Sequence, residues 1–329
     1  YFDVKTYPGT GSSQSITGLD FSPDLVWIKN RSQNDTHAIL DTHRGTNTVL
    51  SSNLTNGTRT ETGSLTAFNS DGFTVGGYND TNRSNSNFVA WTWDAGSSAA
   101  SNTNGTITSS VRKNQNAGFS IVTWTGNGQN KTIGHGLNAV PELIILKDTD
   151  TSRDWYVGSS HIDGSPWLKY LRLNSENGTS NNSDVFQQGG QPTSSVFGVG
   201  EVGNASGSNI AYCFTSVEGY SAIGTYVGNG DSNGPFVALS FAPKWVMVKG
   251  LSNSTAWRIW DSVREPHNPK NLTLTASDSY NETHYGNDDA DFLSNGFKIR
   301  STGSYSNSDS VTYLYLAFAE HPFKYARAR

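Results

Sequence analysis

One stretch of this chain occurs three times, and any fold proposed for it must explain that repeat first. The copies are Phe21-Ser22-Pro23-Asp24-Leu25-Val26-Trp27-Ile28-Lys29, Ala139-Val140-Pro141-Glu142-Leu143-Ile144-Ile145-Leu146-Lys147 and Phe241-Ala242-Pro243-Lys244-Trp245-Val246-Met247-Val248-Lys249. In each, a lysine follows a proline by six positions (29−23, 147−141, 249−243). Proline cannot donate a ladder hydrogen bond, so it belongs at the mouth of a strand. The β-branched and aromatic run behind it is only about five residues long, which predicts a buried strand rather than a helix. Self-similarity at this scale sets the domain organisation before any other feature is weighed.

The echo extends in both directions. Fourteen residues after each proline stands His37, Trp155 or Trp257 (37−23, 155−141, 257−243). Four further on come Asp41 with Arg44 and Asp261 with Arg264, whereas the middle copy has Ser159 in place of the aspartate. Phe68-Asn69-Ser70-Asp71-Gly72-Phe73 and Phe292-Leu293-Ser294-Asn295-Gly296-Phe297 each predict strand, tight turn, strand. Aromatic-rich strands close the copies at 88–93, 210–214 and 313–318, and similar strands open them at 4–9, 119–128 and 220–230. The expected fold is all-β: three tandem antiparallel β-sandwich domains of jelly-roll type, at 1–95, 118–219 and 220–329. Residues 96–117 form a Ser/Asn/Thr-rich linker, a flexible connection except that Thr106–Val111 has the character of a strand that pairs with the start of the second repeat. The first two repeats are expected to hinge there, and the last two, joined with no linker, to pack rigidly.

Charged residues are 16% of the chain, below the usual quarter, in keeping with an all-β protein carrying long polar loops. A net charge of −5, with clustered cations only in the tail Lys324–Arg329, argues against a nucleic-acid partner. No apolar run reaches membrane-spanning length, and the lone Cys213 excludes an intrachain disulfide. The chain begins at Tyr1 without a methionine, which suggests a processed or trimmed product. Fourteen Asn-x-Ser/Thr sequons fall mostly in predicted loops, with Asn53, Asn56, Asn177, Asn253 and Asn281 the candidates to carry glycans.

Little in the sequence asks for catalysis. Asp41–Arg44 and Asp261–Arg264 are better read as internal ion pairs that close loops than as ligand clamps, because the middle repeat lacks the pair. A catalytic position would not exchange the imidazole of His37 for the indoles of Trp155 and Trp257. No nucleophile elbow, phosphate loop or zinc spacing is present; the acidic stretches at 148–154 and 288–291 offer a weak case for calcium and none for another cofactor. Trp155, Trp167, Trp257 and Trp260 lie near polar loops; core packing is the plainer role, and surface platforms for sugar rings or protein partners the sharper one.

Residues 15–29, Asp41-x-x-Arg44, 68–73 and Val89-Ala90-Trp91-Thr92-Trp93, with the joint 107–137, resemble a repeat domain common in virion proteins of tailed phages, many of them aquatic. That resemblance implies a jelly-roll or lectin-like sandwich in a structural appendage and transfers no catalytic residue. The expectation is therefore a non-enzymatic extracellular protein: three sandwiches in a row that associate with copies of themselves into a fibre, filament or virion appendage. Exchange of strand 1–7 or 106–111 would join the subunits. The alternative is a carbohydrate-binding protein that reads glycans with its loop aromatics.

Overall fold

The computed structural model describes residues 1–162, 167–186, 190–284, 286 and 288–321; the basic tail Lys324–Arg329 and parts of the stretches at 187–195 and 287–291 lie outside these. The chain is all-β, with antiparallel sheets packed as sandwiches and, among the described residues, two four-residue helices, Asn79–Asn82 and Ser304–Asn307. In the first repeat the main sheet runs in the order Phe2–Pro8, Asn87–Trp93, Leu25–Asn30, Ala38–Asp41. The same order, opening, closing, proline-led and following strand, returns in the second repeat as Phe119–Gly126, Gly207–Phe214, Leu143–Asp148, Tyr156–Ser159. It returns in the third as Ser221–Val227, Thr312–Ala319, Pro243–Gly250, Arg258–Asp261. The prolines stand two residues before the strand in the first two repeats and at its first residue in the third.

A smaller sheet covers one face of each main sheet. In the first repeat it is Gln14–Thr17, Gly72–Val75 and Ala67–Asn69, and Val26, Ile28, Phe73, Val75, Phe88 and Ala90 fill the space between the layers. Glycine is required at the turn between the last two of these strands. A Cβ on Gly72 would lie 1.9 Å from the Ile16 carbonyl oxygen, and one on Gly296 in the third repeat 2.0 Å from that of Val237.

The other face of each main sheet is also apolar, and it decides the architecture. Leu25, Trp27, Trp91 and Trp93 point away from their own sandwich and join Ile145, Tyr212 and Phe214 of the second repeat and Trp245, Met247, Leu316 and Phe318 of the third in one core. Phe2 stacks on Phe318 at 4.6 Å, Trp93 meets Trp245 at 6.1 Å, and Phe214 meets Phe318 at 6.3 Å. The repeats are thus not strung in a row, and no joint sets the pitch of a rod: they close around a shared centre. The reason lies in the proline-led strands, whose every residue from Leu25 to Asn30, and from Leu143 to Asp148, is buried. A strand without a polar face needs cover on both sides; the small sheet supplies one layer and the other repeats supply the second.

The linker does not act as a hinge. Ala100–Asn102 and Ser109–Asn114 add to the main sheet of the second repeat, with Ser109–Asn114 antiparallel to its opening strand; with Lys169–Arg172 and Ser180–Asn181 at the far edge that sheet has eight strands. Arg112 ties the linker back to the first repeat through Asp24 and, at 2.8 Å, Thr42. The N-terminal strand is equally committed: Phe2–Pro8 pairs along its whole length with Asn87–Trp93. Exchanging either segment between subunits would undo these ladders, and withdrawing Phe2 would empty part of the shared centre.

Candidate functional site

Three joints close the ring, and one device repeats at each. The indole Nε1 of Trp155 donates to the Ser51 carbonyl of the first repeat at 2.8 Å, and that of Trp257 to the Arg172 carbonyl of the second at 2.8 Å. At the third joint His37 Nε2 lies 2.9 Å from the Thr275 carbonyl oxygen. Trp27 Nε1 donates to His37 Nδ1 at 2.8 Å, which leaves the ring proton on Nε2 and makes His37 the donor to Thr275. Burial pushes the His37 imidazole down to about 3, so it stays neutral. Imidazole and indole exchange freely here because each supplies one N–H to the neighbouring repeat.

Backbone bonds reinforce the same places. Thr58 N–H donates to Thr149 O at 2.7 Å and Arg153 N–H to Thr55 O at 2.9 Å; Thr179 N–H donates to Leu251 O at 2.7 Å and Thr255 N–H to Glu176 O at 2.8 Å. Glu282 N–H donates to Arg31 O at 3.0 Å, where an Arg31–Glu282 ion pair at 2.7 Å adds a charged contact.

The repeated lysines sit at these joints with no exposed surface. Lys147 Nζ donates to the carbonyls of Thr55, Asp148 and Arg153 at 2.8–2.9 Å, and Lys249 Nζ to those of Glu176 and Thr255 at 2.8 and 2.5 Å. Lys29 Nζ donates within its own repeat, to Asn30 O at 2.7 Å. Burial draws Lys29 and Lys147 down to about 8 and Lys249 to about 7.

The Asp–Arg pairs close loops and also reach across joints. Arg44 Nε lies 2.6 Å from Asp41 Oδ2 and Arg264 Nε 2.5 Å from Asp261 Oδ2. Each arginine also donates to two carbonyls of its own loop: Arg44 to Ile39 and Thr48, Arg264 to Ile259 and Leu272. Asp41 Oδ2 accepts from the Tyr212 hydroxyl of the second repeat at 2.8 Å, and Asp261 Oδ2 from the Trp91 indole of the first at 3.2 Å. Ladder register makes Trp91, Tyr212 and Leu316 equivalent, since they pair with Trp27, Ile145 and Met247, each four residues past its proline. The repeat with Ser159 instead of aspartate is the one whose partner in the ring would be Leu316, which has no donor.

None of the four candidate tryptophans is a surface platform. Trp155, Trp167, Trp257 and Trp260 are 0%, 3%, 1% and 0% exposed. Trp167 packs on Phe186 at 5.6 Å, and Trp260 Nε1 donates to Asp288 O at 3.0 Å. Trp155 and Trp257 lie at the joints, whereas Trp167 and Trp260 sit in the cores of the second and third sandwiches. Of the five candidate glycan sites, Asn56 and Asn177 are exposed. Asn53 and Asn281 are half-buried, and so is Asn253, whose Nδ2 donates to Ser304 O at 3.0 Å. The acidic stretch at 148–154 is spent locally: Asp148 Oδ1 accepts from the amides of Asp150 and Thr151 at 2.9 and 3.0 Å. Among the described residues no group of three or more His, Cys, Asp or Glu side chains could hold a metal ion, and no helix is long and apolar enough to cross a membrane.

One feature breaks the threefold likeness. Between the first two repeats lies an open cleft of about 490 Å³, walled by His43 and Arg44 on one side, strands 123–125 and 208–210 on the other, and linker residues Ser101 and Thr108–Ser110. His43 Nε2 lies 3.2 Å from Ser110 O. A model of a domain of unknown function, DUF7483, matches residues 1–322 in a single span. The chain belongs to the DUF7483 family. No curated protein and no solved structure matches it. The span of that one match takes in all three repeats of this DUF7483 chain, as the shared core does.

A third repeated device escaped the sequence reading. Buried Asn82, Asn204 and Asn307 each reach back to the loop after the opening strand. Asn82 Nδ2 donates to Ser12 O at 2.5 Å, Asn204 Nδ2 to Gln129 O at 2.7 Å and Asn307 Nδ2 to Asp231 O at 2.8 Å. Counted to the equivalent closing-strand residues Phe88, Asn209 and Tyr313, the spacings are six, five and six (88−82, 209−204, 313−307), and the one-residue slip hides the pattern.

Proposed function

We propose that this DUF7483 chain is a non-enzymatic structural protein, a rigid block that assembles with copies of itself in an extracellular appendage, on a virion or as a surface filament. The observation that carries this reading is the closure of three repeats around one apolar centre, with the buried polar groups of the joints spent on holding the repeats together. His37, Trp155 and Trp257 hold a neighbour's carbonyls, Lys147 and Lys249 do the same, and Asp41 and Asp261 hold arginine and a neighbour's donor. Such a block resists deformation, because moving one repeat breaks two joints and opens the centre. The resemblance of the repeat to a virion domain supports the setting. Glycan reading by Trp155 or Trp257 forms no part of the proposal, since neither indole reaches solvent.

Light scattering after size exclusion, with negative-stain microscopy of concentrated protein, tests it. Ordered oligomers or filaments of compact, globular particles are expected. A particle that stays monomeric at every concentration would overturn the self-assembly, and elongated three-bead particles would overturn the closed block.

A further inference from the structure

We infer that the cleft at the first joint is a binding site for a neutral saccharide, a property that goes beyond the structural role and stands independently of it. The cleft is not a by-product of the ring. Three joints are built alike, but only the first has a linker, and that linker supplies one wall of the cleft. The third repeat follows the second without an insertion.

The walls define the chemistry. No carboxylate lines the cleft, and its guanidinium is already committed: Arg44 donates to Asp41, Thr48 O, Ile39 O and the Tyr212 hydroxyl. Neither charge sign is therefore offered to a ligand, which disfavours anionic and cationic groups. Hydroxyls dominate instead. Those of Thr123, Thr125 and Ser208 hold no hydrogen bond among the described residues.

One wall residue also keeps a buried acceptor unsatisfied among the described residues, His43 at Nδ1. The Nε2 contact to the Ser110 carbonyl places the ring proton there, so His43 Nδ1 is a lone pair awaiting a donor. Buried acceptors of this kind are normally satisfied, and O–H donors are what they lack. Free hydroxyls that both give and take, a lone pair that only takes and no spare charge match a neutral polyol. The volume lies within the roughly 300–1,000 Å³ of small-ligand sites.

The test uses the full chain against an array of neutral oligosaccharides of glucose, galactose, mannose and N-acetylglucosamine, printed beside sialylated and sulfated glycans. Hits are then titrated by calorimetry. Binding to a neutral member is expected, weakened at least tenfold by Thr125→Arg, which fills the cleft from an exposed strand position, and unchanged by Thr6→Arg on the first repeat. Ser208→Tyr, from the paired strand of the same wall, is the second blocking variant should the first misfold. Absence of binding to every neutral glycan, binding confined to the acidic ones, or neutral binding that both blocking variants leave intact would each overturn the inference.

Discussion

Replacing Lys249 by methionine keeps the length of the side chain and removes its charge. In the folded chain burial holds Lys249 near 7, against 10.5 for the free side chain. Below pH 7 both folded and unfolded chains carry the proton, so stability is flat with pH, and the folded state bears a cost on the order of 5 kcal/mol (3.5 pH units at about 1.4 kcal/mol each). Above pH 7 the folded chain has released a proton that the unfolded chain still binds. Unfolding free energy therefore rises with pH, by up to about 1.4 kcal/mol per unit. From pH 7 to 9.5 the gain attributable to Lys249 is roughly 3 kcal/mol. Buried Tyr7, Tyr212, Tyr220 and Tyr226, whose hydroxyls burial pushes up, oppose it only above about pH 10.

Lys249→Met removes that slope, and it also takes the Nζ donor from the Glu176 and Thr255 carbonyls; Glu176 O keeps the Thr255 N–H, so the full cost of an unmet acceptor, about 1–3 kcal/mol, falls on Thr255 O. At pH 7 the relief of a buried charge and the loss of these hydrogen bonds oppose each other, so stability at one pH is a poor test. The pH dependence is a sharp one. Urea unfolding followed by tryptophan fluorescence at pH 7, 8, 9 and 9.5 is expected to show the wild type pulling ahead of the variant by roughly 3 kcal/mol across the series. Lys29 and Lys147 contribute equally to both chains and drop out of the difference. A gap that stays constant to within about 1 kcal/mol would refute the reasoning and show that the carbonyls hold Lys249 charged throughout.

Differential scanning calorimetry is expected to show one transition with equal calorimetric and van't Hoff enthalpies, because the repeats share a core; resolved transitions would mean that they unfold separately. Phe2→Ala, which removes a ring stacked at 4.6 Å on Phe318, is expected to cost about 3–5 kcal/mol in chemical denaturation despite its place next to the terminus. Tyr212→Phe leaves Asp41 Oδ2 without the donor at 2.8 Å and should cost about 1–3 kcal/mol, whereas Ser159→Asp should cost more, about 3–5 kcal/mol, because position 159 has a backbone donor from His161 but neither an arginine nor a donor from the neighbouring repeat. A Ser159→Asp protein as stable as the parent would count against the ring register.

Much of the local structure was legible in the residues. Proline ahead of an apolar run and glycine before Phe73 and Phe297 are short-range signals, and the strands stand where they lie; the linker strand, expected at 106–111, runs three residues later, Ser109–Asn114. The closure was harder to see, although a hint was present. Leu25-Val26-Trp27-Ile28 has no polar alternation, so its second face had to be covered, but only distance along the ring reveals that other repeats cover it. The tryptophans misled for a related reason. Polar neighbours in sequence suggested exposure, while the partner of each indole N–H is a carbonyl about 100 residues earlier for Trp155 and 85 earlier for Trp257 (155−51, 257−172). The cleft was invisible, since its walls come from five separate parts of the chain, at 43–44, 101–110, 123–125, 149 and 208–210.

Fusing three like modules into one polypeptide has a consequence that an assembly of three identical chains is denied. Identical subunits must build every seam from the same letters, so whatever suits one seam is imposed on all. Here two seams match an aspartate with a hydroxyl or indole donor, and the third position reads serine and leucine; one seam alone carries an inserted ribbon. Each module is thereby fitted to a particular neighbour, which gives the molecule a fixed order of closure and, among three similar sides, one that a partner can tell from the others.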